Sequence, residues 1–267
     1  MNRTYTAFFL AVAALSISSA ALAQDGAAAA ATVTPPAGGA ATGSEEVGDT
    51  GPSAHSQVVK SFAITWFGVG DVPIAAGGAG ATRQTLAVPA IGARYWLNDQ
   101  LGIDAGLGIA QRSGSTETKA GGTTVTTDNP SSSAFWIHVG VPLALAHNGN
   151  FTFLVTPELN YGSASGTIKG TPAMGMTPAG PDTDLTGSRI LAGARAGAEI
   201  HFGFMGLRRL SLEGSVGLFY DSQTWKSSST VNGTEVSAKG TETILSTSSI
   251  NQPWDFFRGN VAARYYF

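Results

Sequence analysis

Apolar and polar residues alternate with a period of two in stretches of about ten residues, the pattern of strands that carry one apolar face. Eight such segments can be placed, near 60–70, 84–97, 100–112, 133–146, 151–162, 188–202, 209–222 and 254–267. The connections alternate in length, with short ones at 98–99, 147–150 and 203–206, and long ones at 71–83, 113–132, 163–187 and 223–253. Short turns at one end and long loops at the other are typical of bacterial outer-membrane barrels. The pattern therefore predicts an all-β fold, an eight-stranded antiparallel transmembrane β-barrel.

The two faces of the predicted strands differ in the size of their side chains. Between 133 and 146, every second residue from Phe135 to Leu145 is apolar, and His138 lies on the opposite face. The opposite faces of the segments hold glycine, alanine and isolated charges. This composition suits the narrow lumen of an eight-stranded barrel, whereas a soluble sandwich would fill its wet face with large charged residues. The first segment is apolar on both faces, so the pattern leaves its orientation open.

Charged residues on the inward faces are balanced, with four of each sign. They are Arg94, Asp104, Glu158, Arg195, Glu199, Glu213, Arg258 and Arg264. Buried charges persist when they are paired and hydrogen-bonded, so we expect ion pairs that fill the lumen as a structural plug. A gate or a proton path through the same side chains is the functional alternative. We expect His138, on the same side, to be a packed polar residue rather than a ligand.

The N-terminal part of the chain is predicted to be an export signal followed by a disordered segment. Residues 1–23 contain Arg3, an apolar core and the small-x-small sequence Ala21-Leu22-Ala23, which together are typical of a cleaved secretory signal peptide. Residues 24–57 are rich in Ala, Pro and Gly, with acidic charges only, and offer no apolar face to bury. No later window holds 18 uninterrupted apolar residues, so we predict no later membrane-spanning helix.

Composition removes several functional classes. The 267 residues include no cysteine, so the chain cannot be a disulfide scaffold, and its net charge of −3 argues against nucleic-acid binding. Only 12% of the residues are charged, while glycine occurs 35 times. Both values suit strands that face lipid on one side and a crowded lumen on the other. Neither a metal-ligand spacing nor a phosphate-binding loop is found, so we expect no cofactor.

The last strand carries a recognisable ending. Asn260 is followed by Tyr265 and the terminal Phe267, which alternate in the sequence Arg264-Tyr265-Tyr266-Phe267. This ending resembles the C-terminal assembly signal of outer-membrane β-barrels, although Ala262 stands where glycine is usual. Together with the stretch from Ile91 to Ile109, it makes residues 58–267 similar to small barrels of the OmpA-like or OmpX-like type. The resemblance implies eight strands in the outer membrane of a Gram-negative cell, and insertion by the barrel-assembly machinery.

The long loops are the expected location of any binding function, because exposed loops on a rigid scaffold commonly carry it. Two of them contain hairpin signals, Gly121-Gly122 and Asn232-Gly233, so the third, fourth, seventh and eighth strands should extend beyond the membrane as ribbons. We therefore expect a monomeric barrel with a plugged lumen and a structural or surface-interaction role, possible extracellular ligands being bound by the loops. A small pore or a hydrophobic-ligand conduit is the first alternative.

A lipid-modifying barrel enzyme is the second alternative, and the chain offers little for it. Acyl transfer needs a nucleophile with a base in hydrogen-bond reach. Glu199 and His201 share one strand face, and of the residues in the chain they most resemble a catalytic base with the residue that orients it. No serine accompanies them on that face. A serine on a neighbouring strand remains open. We expect no enzymatic activity and assign no catalytic, cofactor-binding or metal-binding residue.

Overall fold

The computed structural model describes residues 52–76, 82–120, 122–170, 180–247 and 260–267. The predicted signal peptide and residues 24–51 lie outside these ranges. Within the described part of the chain, the strands are β1 (Phe62–Ala75), β2 (Arg83–Trp96), β3 (Gly102–Arg112), β4 (Ser115–Ala120), β5 (Thr123–Asp128), β6 (Ser131–Gly140), β7 (Leu143–Asn148), β8 (Phe151–Ile168), β9 (Thr183–His201), β10 (Leu210–Val231), β11 (Thr234–Thr247) and β12 (Val261–Tyr266). In these ranges, no helix has the length and apolarity to cross a bilayer.

Eight of the strands form a closed antiparallel ring. The order around it is β1, β2, β3, β6, β8, β9, β10 and β12, and β1 closes the ring by pairing Ala63–Trp66 with Tyr266–Ala263. The short β7 continues the crossing that begins with β6, after an interruption at Val141 and Pro142, and pairs with β8. The predicted all-β, eight-stranded antiparallel barrel is thus confirmed.

The turns divide the barrel into a short-turn end and a long-loop end. At the short-turn end, Asn98 accepts hydrogen bonds at Oδ1 from the backbone N–H groups of Gln100 and Leu101, at 2.9 and 2.8 Å. Another short turn holds Gly149 with φ +53°, and the third forms a 3-10 helix at Phe202–Met205. These are the three places where the sequence predicts short turns.

The long-loop end carries three hairpin extensions. β4 pairs with β5, and β10 pairs with β11 as far as Val231 and Thr234, across a turn in which Asn232 and Gly233 both have positive φ. These are the ribbons that the hairpin signals predict. β8 and β9 also remain paired out to Ile168 and Thr183, so the predicted loop at 163–187 is too long. Side-chain hydrogen bonds support this pairing, from Ser163 Oγ to the Gly187 carbonyl oxygen at 3.4 Å and from Thr167 Oγ1 to Asp184 Oδ1 at 3.3 Å.

The first strand has an irregularity that the sequence pattern does not resolve. Its register with β2 shifts between Trp66 and Gly68, and Gly68 has φ +90°. Before this bulge, Phe62 and Ile64 point outward, at 59% and 56% exposure, and Ala63 and Thr65 point inward. After the bulge, the four residues from Val72 to Ala75 are all buried. Phe67 also lies inside, where its ring packs on His138 with centres 4.3 Å apart, so a large apolar residue on the inward face accounts for the apolar composition on both faces of the segment.

The chain before β1 is folded against the short-turn end. Residues 52–60, called the strap below, form consecutive turns, and their backbone N–H groups bond the turns of the barrel, from Ala54 to Gly149 O and from Lys60 to Trp96 O, both at 2.9 Å. Val58 is buried at 4% exposure. The folded chain therefore includes residues 52–57, which the sequence pattern assigns to the disordered segment. Contacts with distant turns order these residues, and local composition does not report such contacts.

Candidate functional site

The barrel interior near the short-turn end is filled by a buried ionic network. Arg94 lies directly opposite Asp104 in the β2–β3 ladder, and its Nε and Nη2 atoms donate to the two carboxylate oxygens at 2.7 and 2.6 Å. Its Nη1 atom also donates to Glu199 and Glu213, each at 3.2 Å. Arg264 bonds Glu213 at 2.6 Å. These five residues are the ionic network, and each is at most 7% exposed.

Uncharged side chains add hydrogen bonds to this network, although Arg264 Nε and Nη1 have no hydrogen-bond partner among the described residues. Glu199 accepts hydrogen bonds from the hydroxyl groups of Ser211 and Tyr266, the latter at 2.9 Å. The Tyr266 hydroxyl in turn accepts from Trp96 Nε1 at 3.2 Å. The hydrogen bonds that these groups donate to the Glu199 carboxylate offset part of the free-energy cost of removing it from water. A fixed ionic network is therefore tolerable inside the barrel.

A second group of charges lies further toward the long loops. Glu158 accepts from Arg195 at 2.8 and 3.0 Å, and from Asn160 Nδ2 at 3.0 Å. Arg189 donates to both oxygens of Asp221, at 2.9 and 2.7 Å, and to the backbone oxygen of Asp71 at 2.8 Å. The bond to Asp71 ties the far half of β1 to β9 across the lumen.

Seven of the eight predicted lumen charges therefore lie inside the barrel in ion pairs, and Arg258 lies outside the described residues. The pair of Arg189 with Asp221 is missing from the sequence prediction. Strand alternation predicts the inward position of Arg189, since it has the same parity as Arg195 on β9 and so faces the same side. His138 is buried and donates from Nδ1 to Asn160 Oδ1 at 2.8 Å.

The long-loop half of the lumen is closed by an apolar cluster. Its buried members are Val72, Ile74, Ala75, Val88, Ala90, Ala134, Trp136, Ala164 and Leu185. The far half of β1 reaches the opposite wall so closely that a Cβ atom on Gly187 would overlap the carbonyl oxygen of Pro73. Gly70 and Gly162 likewise leave room for the Trp136 ring. The barrel wall itself, folded inward, forms this part of the plug.

A chamber of about 490 Å³ remains between the two halves. Trp136 of the apolar cluster and Arg94 of the ionic network both line it, together with His138 and Thr156. Four arginines and five carboxylates contribute to its wall: Arg94, Arg189, Arg195, Arg264, Asp71, Asp104, Glu158, Glu213 and Asp221. This chamber is the best candidate for a binding site inside the barrel.

One histidine of the strap, His55, packs beside two histidines of the barrel close to the short-turn side of the ionic network. His55 is fully buried, donates from Nε2 to the Asp99 carbonyl at 2.9 Å, and packs edge-on against Trp96 with ring centres 4.5 Å apart. His147 and His201 lie 5.3 and 6.5 Å from its ring centre. Burial lowers the pKa of His55, the raising effects of the Asp99 carbonyl and of Glu199 being smaller.

The Glu199 and His201 pair singled out by the sequence is brought together without forming a hydrogen bond. His201 Nε2 lies 4.0 Å from Glu199 Oε1, and both residues are fully buried. Glu199 is held by the network described above. The described ranges contain no group of three His, Cys, Asp or Glu residues placed to hold a metal ion.

The outer surface of the ring is apolar. Its most exposed large side chains include Ile109 and Leu145, at 65% and 60%. Aromatic residues lie on the outside near the short-turn end, where Tyr265 and Phe267 contact each other with ring centres 5.3 Å apart. Asn260 instead points inward, and its backbone oxygen accepts from Ser215 N at 2.8 Å.

Comparison with known proteins gives resemblance in shape alone. Ail, the attachment invasion locus protein of Yersinia pestis, is 11% identical with a TM-score of 0.35, over 78% of this chain and 99% of that one. A major outer membrane protein from Thermus thermophilus is 14% identical with a TM-score of 0.36, over 78% of this chain and 98% of that one. No protein-family model and no curated protein matches the chain.

Proposed function

We propose that this chain is an integral outer-membrane β-barrel with a plugged lumen and a structural or surface-interaction role. The observation that carries the proposal is the inverted placement of its residues, with ion pairs inside the ring and large apolar side chains outside. Ile103, Leu107 and Ile109 on β3, for example, are 46–65% exposed, while Asp104 between them is 2% exposed. A water-soluble monomer rarely exposes a continuous apolar belt, whereas a lipid-facing barrel requires one.

The closed lumen favours an interaction role over transport. The ionic network blocks one half, and the apolar cluster blocks the other. Eight strands leave room for side chains or one small ligand and no wide channel. The polar chamber is also a poor match for a hydrophobic ligand. The ribbons at the long-loop end are then the parts available to an extracellular partner, and we propose that they carry the contact function.

Two measurements test this proposal. Cell fractionation should recover the protein with the outer membrane, and its migration on a gel should shift on heating, as folded barrels commonly show. Purified protein in a planar lipid bilayer should give no steady ion current. A soluble periplasmic protein without a heat-dependent shift would overturn the architecture, and a sustained current would overturn the plugged lumen while leaving the membrane location intact.

We further propose that residues 1–23 direct export and that Asn260, Tyr265 and Phe267 act in assembly by the barrel-insertion machinery. Support comes from the outward orientation of Tyr265 and Phe267 at the end of the closing strand, where another protein can reach them. Phe267→Ala should lower the amount of folded barrel in the outer membrane at equal synthesis. Phe151→Ala, which removes an equally exposed ring at the same end, is the matched control. Equal losses in both variants would contradict a specific signal.

We propose no enzymatic activity. A serine–histidine hydrogen bond does join the strap to the barrel, between Ser53 Oγ and Nδ1 of His147 on β7, at 2.9 Å. However, the Ser53 hydroxyl also accepts the Ser56 backbone N–H at 3.2 Å, in the turn that shapes the strap. This contact is accounted for by holding the strap to the β7–β8 turn.

A further inference from the structure

The turn between β9 and β10 differs in composition from the other two short turns. The tips of those turns, at 98–100 and 148–150, hold only asparagine, aspartate, glutamine and glycine. The β9–β10 connection, residues 202–209, is called the apolar turn below. Three of its side chains are large, apolar and more than half exposed, at 63%, 63% and 52%: Phe204, Met205 and Leu207. Small and polar residues are usual in turns that project into water, so this surface is suited to another environment.

The apolar turn continues the outward face of the strands that it joins. His201, the last residue of β9, is extended and fully buried on the inward face, so the alternation places Phe202 outward. The Phe204 ring lies beside that of Phe202, with centres 6.0 Å apart. Where β10 begins, Leu210 stands opposite Tyr265, an outward residue that is 47% exposed. The surface of the turn is therefore continuous with the belt that faces lipid in the proposed function, on which this inference rests.

Two adjacent cations stand at the end of the apolar turn. The Leu210 N–H group donates to the Leu207 carbonyl oxygen at 3.0 Å, which closes a tight turn with Arg208 and Arg209 at its corners. Both side chains are exposed, and neither guanidinium group forms an ion pair or a hydrogen bond with the described residues. These residues include Phe267, whose terminal carboxylate follows on the neighbouring strand. Both guanidinium groups are therefore available to an external anion.

Apolar side chains beside unpaired guanidinium groups match the two parts of a phospholipid. The apolar side chains suit acyl chains, and a guanidinium group binds phosphate through paired N–H donors. Continuity with the belt favours a lipid over a second protein, since lipid covers the adjoining Tyr265 in the proposed architecture. We propose that the apolar turn inserts into the bilayer interface at the short-turn end, where Arg208 and Arg209 bind the phosphate group of a phospholipid.

The depth of the turn is measurable with single spin labels, because the chain has no cysteine. The full chain is folded into vesicles of phosphatidylethanolamine and phosphatidylglycerol. A nitroxide label at Met205→Cys should then collide with oxygen more than with a water-soluble nickel complex. Ile109→Cys, on the outward face of β3, should show the same preference. Gln100→Cys, an exposed residue in the polar β2–β3 turn, is the matched control and should favour the nickel complex.

The phosphate contact is measured by nuclear magnetic resonance in uncharged maltoside micelles, with ¹⁵N-labelled arginine. The Nε signals of Arg208 and Arg209 are identified by their loss in Arg208→Gln and Arg209→Gln. Dihexanoyl phosphatidylglycerol should shift both signals saturably. Sodium phosphate, which lacks acyl chains, and dihexanoylglycerol, which lacks the phosphate group, should be ineffective at the same concentrations. The signal of Arg112, an exposed arginine at the long-loop end, should stay in place.

Substitutions separate the two parts of the site. Replacing Phe204 and Met205 together by serine removes apolar contact with the acyl chains, so the midpoint of the phospholipid titration should rise at least about tenfold. Arg208→Gln should raise the midpoint seen at Arg209 about tenfold, because a charge-assisted hydrogen bond is lost. Arg112→Gln removes an exposed arginine from the other end, so this matched control should leave the midpoint unchanged.

Several outcomes would overturn the lipid site. A label at Met205 that favours the nickel complex, as at Gln100, would place the turn in water. Equal shifts with sodium phosphate would indicate a site for free anions, and equal shifts with dihexanoylglycerol would indicate apolar docking alone. Spin–spin broadening at Met205 that disappears on dilution with unlabelled protein would identify a second copy as the occupant. Water access at Ile109 as well would overturn the membrane architecture itself, which distinguishes that failure from failure of the lipid site.

Discussion

The two halves of the lumen are closed by different physical means. In the short-turn half, long charged side chains from five different strands meet in the centre, with Arg94 contacting three carboxylates. In the long-loop half, the wall folds inward until β1 lies against β9 at Gly187. Long paired charged side chains fill the lumen without any movement of the strands toward each other. Closure by apolar side chains, in contrast, requires the backbones of opposite strands to approach. A change that breaks one half should therefore leave the other intact.

Removal of Arg94 is expected to have the largest effect. In Arg94→Met, Asp104, Glu199 and Glu213 would remain buried together with Arg264 as their remaining cation, and leaving buried charges uncompensated typically costs about 3–5 kcal/mol. The free energy of unfolding, measured by urea titration of the barrel folded in phospholipid vesicles, should fall by this amount.

Arg83→Met is the matched control for this variant. Arg83 also pairs with a carboxylate, that of Glu242, but both side chains are 38% exposed. An exposed pair of this kind contributes between about 0 and 1 kcal/mol. If the two variants lost equal stability, burial would not be the source of the strength of the ionic network.

A side chain at Gly187 is expected to have the next largest effect, confined to the long-loop half. In Gly187→Val, the new Cβ would overlap the Pro73 carbonyl oxygen, so β1 must move away from β9. Overpacking of this kind commonly costs about 1–3 kcal/mol. Trp136, which packs in the apolar cluster, should become more accessible to a quencher that is dissolved in water.

The control for Gly187 is a glycine just before the start of the same strand. Gly180→Val introduces the same side chain where no atom lies within 4 Å of the new Cβ. It should leave both stability and quenching unchanged. Unaltered quenching in Gly187→Val would mean that the close approach of β1 to β9 does not hold the apolar cluster together.

The two halves also differ in how far the sequence predicts them. Strand alternation assigns each charge to a face, so the residues of the ionic network can be found by parity alone. The same parity argument includes Arg189. Parity does not predict which charges form ion pairs with each other, because the partners can be far apart in the sequence. Arg94 and Glu199, for example, are 105 positions apart.

The closure of the long-loop half is not predicted from the sequence for two reasons. One lies in the residues of β1 itself, and the other lies in residues of strands that are distant in the sequence. The inward face of β1 carries the large apolar residue Phe67, so the two faces of the predicted segment cannot be told apart by pattern, and the bulge at Gly68 then shifts the register of the residues that follow. The burial of β1 then depends on glycines of other strands, such as Gly162 and Gly187, that admit it to the interior. The fold of the strap cannot be predicted locally for the second of these reasons, since Ala54 and His55 are ordered by turns more than 40 residues away in sequence.

The smallest expected effect concerns the strap, which covers the ionic network from outside. The docked strap buries a neutral His55, and burial lowers its pKa from the ordinary value near 6.5. Docking stability is therefore fully present above about pH 6.5. It falls as the pH drops toward the lowered pKa, because the undocked strap gains a proton that the docked one does not. The loss is at most about 1.4 kcal/mol per pH unit.

Limited proteolysis within residues 52–60 measures this loss. Cleavage should accelerate between about pH 6.5 and pH 5, and His55→Gln should remove most of that pH dependence. Glu199 and the Asp99 carbonyl favour the charged form of His55, whereas His147 opposes it. His147→Gln is the control, because it removes an exposed histidine next to the buried His55. In this variant, cleavage should still accelerate as the pH falls. If His147→Gln removed the pH dependence while His55→Gln preserved it, the sensitivity would lie in the exposed contact with Ser53 and not in the buried ring.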